Sequence, residues 1–132
     1  MTVELFCLSL FALVIVANIL IQQLTSMFDY GLKPILGSRE DVKFVGITGR
    51  LERAILNSII AIALFAPSVI ILSIVGVSTT QTVIAAQVFV AARIVYSISY
   101  ALNIVLLRSA GWTIGLVCIL ALYYNVINIP IV

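Results

Sequence analysis

No histidine occurs anywhere in the chain. That removes the side chain most often used as a general base near neutral pH, and a frequent metal ligand. Charge is nearly as scarce: Asp, Glu, Lys and Arg make up 9% of the residues, against about a quarter in a soluble domain. So few charges cannot cover a water-facing surface. Cys7 and Cys118 are the only cysteines, and both lie in apolar runs, where a free thiol packs as a small hydrophobe. A net charge of +2 gives no support to nucleic-acid binding. What is present is hydrocarbon, with 64% of the residues hydrophobic. At roughly 20 residues per span, the chain holds about four membrane helices and little else. The expectation is an all-α, integral-membrane four-helix bundle, one domain over residues 1–132.

The spans read as follows. The first runs from Val3 to Phe28; it starts near Glu4, has no basic leader region and is too long for a signal peptide, so it is expected to be retained. Residues 29–49 are polar and rich in glycine, with Pro34, and form a loop. The second span covers Arg50 to Val75, with a kink expected at Pro67. "GVSTTQT" (76–82) is a turn. The third span covers Val83 to Leu107 and the fourth Trp112 to Ile129, with Pro130 at its end. Lys33, Arg39, Lys43, Arg50 and Arg53 lie in or beside the first loop and Arg108 in the third; the second loop has no cation. The positive-inside rule makes the first and third loops cytoplasmic and puts both termini on the other side.

Polar residues recur at helical spacing toward the basic end. The third span carries Arg93, Tyr96, Ser97, Tyr100 and Asn103; the second carries Arg50, Arg53 and Asn57; the first carries Asn18, Gln22, Ser26 and Asp29. Polar groups facing lipid are costly, so these three stripes are expected to turn inward, where they form a polar pocket or bond neighbouring helices. Arg93 is the sharpest case. It lies about ten residues, or roughly 15 Å, into its span, and no Asp or Glu stands at that depth. Its partners must be Asn57, Asn18, backbone carbonyls, water or a bound anion. Arg50 and Arg53 also read as a basic cluster meeting anionic lipid. Tyr30, Trp112, Tyr123 and Tyr124 read as interfacial anchors, and Gly111, Gly115 and Ala121 as positions allowing close helix contact.

Three segments, "RLERAILNSII" (50–60), "AARIVYSISY" (91–100) and "LRSAGW" (107–112), resemble the MAPEG family, the membrane-associated proteins of eicosanoid and glutathione metabolism; "LGSRED" and "ALFAP" resemble a small bacterial branch of it. Arg53, Ala54 and Asn57 match the family's second-helix pattern, with Ile60 where the family has Glu. Ala92, Arg93 and Tyr100 match its third-helix pattern, with Tyr96 where the family has His. The resemblance implies a homotrimer binding glutathione between protomers near the cytoplasmic side. Arg108 would lower the thiol pKa, assisted by Ser109 or Tyr100. Arg50, Arg53, Asn57, Arg93 and Tyr96 would hold the tripeptide. Two readings follow: a glutathione-dependent transferase or peroxidase acting on lipophilic electrophiles, or a non-catalytic scaffold or accessory subunit of a larger membrane complex. A small channel or transporter ranks third, since no inverted repeat is visible.

Overall fold

A computed structural model describes residues 1–38 and 42–130; Arg39 lies outside them. The described chain is helical, with α1 at Val3–Tyr30, a one-turn α2 at Lys33–Leu36, α3 at Gly46–Val75, α4 at Thr80–Ala101 and α5 at Val105–Ile127. The four long helices are each long and apolar enough to cross a membrane.

They run up and down. At one end, Thr48 Oγ1 of α3 donates to Asp29 Oδ2 of α1 at 2.8 Å, and Arg50 Nε of α3 donates to the Ala101 carbonyl that closes α4 at 3.1 Å. At the other end, Glu4 of α1 meets Thr82 of α4. The backbones of α1 and α5 do not come close to one another; each packs against α3 and α4.

The seam of α1 is regular. Glu4, Cys7, Phe11, Ile15, Asn18, Gln22 and Ser26 are its buried residues, spaced by threes and fours along one face. The middle of that seam is apolar and its ends are polar. The apolar middle meets a ring cluster: Phe65 of α3 stacks on Phe89 of α4 at 4.0 Å, and Phe11 stands edge-on to Phe89 at 5.0 Å. Such pairs add to plain area burial. Helices α4 and α5 approach closely at Gly111 and Gly115, which carry no side chain. A Cβ on Gly111 would stand 2.9 Å from the Ala92 carbonyl oxygen.

Helix boundaries depart from the sequence reading in one consequential place. The third span was expected to continue to Leu107; α4 stops at Ala101 and α5 begins at Val105. Asn103 takes a left-handed φ of 61°, which asparagine accepts more readily than most residues. The Ile104 N–H then reaches the Ser99 carbonyl and the Asn103 N–H the Tyr100 carbonyl, the paired bonds that end a helix around a left-handed residue. Hydropathy misses this because the apolar run Ile104–Leu107 continues straight through the turn. Two corrections follow. Asn103 is a turn residue and not part of a helical stripe, and Arg108 and Ser109 stand on the first turns of α5 and not in a loop. Helix α3 also begins a turn earlier than expected and runs through Pro67 as one helix.

Candidate functional site

Arg93 is 2% exposed, so the deep guanidinium is turned away from lipid. Its Nη2 donates to Ser58 Oγ at 3.1 Å. Its Cζ lies 4.3 Å from the Tyr96 ring centroid and 5.8 Å from that of Phe11. Ring faces attract cations, more strongly when both are out of water. Yet Nε is buried and meets no acceptor, and no carboxylate lies near the group among the described residues. The charge is therefore only part-satisfied. Ser58 was not among the partners expected from the sequence. It stands in the small-residue seam Leu51, Ala54, Ser58, Ala61 of α3, a signal that could have found it.

From Arg93 an aromatic ladder leads toward the basic end. The Tyr96 and Tyr100 rings lie 5.5 Å apart, and the Arg108 guanidinium lies 4.7 Å from the Tyr100 centroid. Positions 93, 96 and 100 share one face of α4 because they are separated by three and four residues. Arg108 reaches them from α5 across the tight turn at Asn103. The order is cation, ring, ring, cation.

Two adjoining cavities flank this ladder, walled by α3, α4 and α5. The outer one, about 290 Å³, is lined by Asn57, Tyr96, Tyr100, Arg108, Ser109, Trp112 and Thr113. The inner one, about 70 Å³, is apolar except for Asn57 and Arg93, with Ile60, Leu64, Phe89 and Ile119 among its walls. Asn57 and Trp112 line both. The result is a polar mouth with two guanidinium groups nearby, leading to an apolar recess. Such a groove suits an anionic head beside an apolar group.

The residues expected from sequence divide accordingly. Asn57, Tyr96, Tyr100, Arg108 and Ser109 come together in the outer cavity, and Arg93 lines the inner one. Arg50 and Arg53 line neither. Arg50 spends its Nε on the last carbonyl of α4, a favourable use of a cation at the negative end of a helix, and Arg53 is exposed. The expectation of three inward stripes holds for α1, where Asn18 Nδ2 donates to Ser97 Oγ at 3.0 Å, and for α4. It fails for α3. The inward seam there is Thr48, Leu51, Ala54 and Ser58, rotated away from Arg50, Arg53 and Asn57, which fall on its flank and outside. Trp112 was read as an interfacial anchor, but it walls both cavities. Thr113 was not anticipated, although it lies one turn after Ser109 on the same helix.

The groups present fit part of a glutathione-type ligand. Carboxylates and a thiolate would find guanidinium, hydroxyl and amide donors around the outer cavity. An ammonium group would find no carboxylate among the described residues that line the two cavities. Groups of acids and thiols able to hold a metal ion are also absent among the described residues.

Comparisons with curated proteins and with solved structures find no match. A comparison with protein families matches the MAPEG family over residues 1–128, a stretch that includes all four long helices and every residue of the groove. The chain belongs to the MAPEG family.

Proposed function

We propose that the groove binds an anionic thiol of the glutathione type and turns it on a lipophilic electrophile, either conjugating the two as a membrane transferase or, as a peroxidase, reducing a hydroperoxide to an alcohol and water while two thiols become a disulfide. The observation that carries this reading is the junction of two unlike cavities at Asn57 and Trp112, one polar and flanked by Arg108, one apolar and flanked by Arg93. A bound thiol peptide would supply the sulfur nucleophile. The remaining tasks fall to the chain. Arg108, held over the Tyr100 ring, stabilises a thiolate by charge. Ser109 and Tyr100 offer hydroxyl donors beside it. Asn57 and Tyr96 orient the peptide, and Arg93 contributes positive potential from within. The apolar walls of the inner cavity admit the electrophile from the lipid side and keep water away.

Three copies would assemble so that a neighbouring copy covers the open flank of the groove. The basic end, with Lys33, Lys43, Arg53 and Arg108, faces the cytoplasm of a bacterial inner membrane, since the other end carries no Lys or Arg. Calorimetry on the detergent-purified protein tests the ligand. Heat of binding on adding a millimolar thiol tripeptide, glutathione or its analogue without the α-amino group, lost in Arg108→Leu, is the expected result; no heat with either at that concentration removes this reading.

The second reading, a non-catalytic scaffold or accessory subunit of a larger membrane complex, draws on a different observation. Arg93 already has Ser58 and two ring faces inside the bundle, and Ile60 offers a ligand nothing polar. This version requires a stable partner that co-purifies in mild detergent, and no response to thiols.

A further inference from the structure

We propose that the ligand of the groove carries no ammonium group where it meets Asn57 and Arg93, and that Asn57 and Ile60 enforce this choice. The inference rests on the thiol-peptide reading above and narrows it to a chemical class: a thiol-bearing polyanion whose amino group is absent or blocked.

Three observations converge. First, the charge of the lining is one-sided. Arg93 and Arg108 serve the two cavities, and among the described residues no Asp or Glu lines either. Glu52, five positions before Asn57, lines a separate shallow groove between α1 and α3. Second, the inner cation is incompletely satisfied. Arg93 is 2% exposed and its Nε finds no acceptor, so an anion is what the pocket lacks. A buried charge is stable only when paired or well hydrogen-bonded. Third, the position on α3 that faces the inner cavity one turn after Asn57 is Ile60, an aliphatic side chain with no acceptor. The neutral polar groups at the junction are the Asn57 amide and the Trp112 indole N–H, and of these only the amide offers an acceptor.

An incoming ammonium would therefore meet two fixed cations in a site only partly open to water, with neutral amide and hydroxyl oxygens but no carboxylate among the described lining residues to offset them. Like charges so placed disfavour binding by about tenfold or more. A ligand that presents only carboxylates and a thiol meets no such penalty, and its carboxylate supplies the counter-charge that Arg93 lacks. The same logic predicts that a single carboxylate added at the junction reverses the preference.

The test compares two probes on the full-length protein in detergent: glutathione, and glutaryl-cysteinyl-glycine, the same tripeptide without its α-amino group. The expected result is at least about tenfold tighter binding of the des-amino peptide, with the order reversed in Asn57→Asp. Should N57D fail to fold, Ile60→Glu, at a position 62% exposed, provides the same added charge. Glutathione binding as tightly as its des-amino analogue, or more tightly, in the unsubstituted protein overturns the inference and leaves the thiol-peptide reading standing. Binding of neither probe overturns both.

Discussion

Among the described residues two charges are buried, Glu4 near one end and Arg93 further along, and their surroundings differ. Each is 2% exposed. Glu4 Oε1 accepts from Thr82 Oγ1 at 2.6 Å and from Ser78 Oγ at 2.9 Å. Both donors lie around the start of α4, where Thr79 and Thr82 already form a reciprocal cap, so the carboxylate sits at the positive end of a helix dipole. Glu4 lines none of the cavities described above. Arg93 has one hydroxyl at 3.1 Å, two ring faces and a cavity beside it. The first arrangement ties α1 to α4. The second leaves a cation waiting for an anion. Burial alone does not separate a structural charge from a functional one. Each keeps one buried atom without a partner, Oε2 of Glu4 and Nε of Arg93; what separates them is the cavity that adjoins Arg93 alone.

Exchanging the two roles by mutation breaks the comparison most sharply. Arg93→Met keeps length and apolar packing while removing the charge. Replacing a buried ionic group by a packed apolar one is often neutral for stability, so thermal unfolding in detergent is expected to change by less than about 1 kcal/mol. Thiol affinity, read by calorimetry, should fall about thirtyfold or more, as when one member of a desolvated charge pair is lost. Glu4→Ala should do the reverse, lowering stability by about 1–3 kcal/mol through the lost hydrogen bonds and packing and leaving affinity unchanged. If both variants lose stability and neither loses affinity, the distinction between the two charges is void.

The α4–α5 contact sharpens the same contrast at the backbone. Gly111→Ala should cost about 1–3 kcal/mol, because its Cβ would stand 2.9 Å from the Ala92 carbonyl oxygen and backbone cannot easily give way. Gly115→Ala should cost less, since the new Cβ would stand 3.4 Å from Arg93 Cδ, a side chain that can shift; its effect should show in ligand affinity before it shows in unfolding temperature. The smallest effect belongs to Ser97→Ala. Removing the Asn18–Ser97 bond should cost about 0.6 kcal/mol, the usual worth of an interhelical hydrogen bond in a membrane, with affinity unaltered.

The membrane class and the count of long helices were legible because both depend on apolar content, which survives any choice of packing. The inward turn of Arg93 was legible for a similar reason: a cation at that depth has few places to go. The rotation of α3 was not. Arg50, Arg53 and Asn57 make a polar stripe by spacing, but the seam that packs is the small-residue row through Ala54 and Ser58, which a search for polar periodicity passes over. The turn at Asn103 was hidden by apolar residues on both sides, and with it the placement of Arg108 and Ser109 on α5. Trp112 was judged by its residue type, and only the helix start at Val105 shows that it faces the groove. Glu4 drew no attention as a buried partner, because Thr82 and Ser78 are more than 70 positions away in sequence.

Side-chain nitrogen NMR of arginine-labelled protein in nanodiscs tests the central claim most directly. The Arg93 Nε–H resonance, assigned by its loss in Arg93→Met, should move in step with saturation as a thiol-bearing anion is added. A ligand that binds and leaves that resonance in place would show that the bundle already provides for its deep cation, and that the groove works without it.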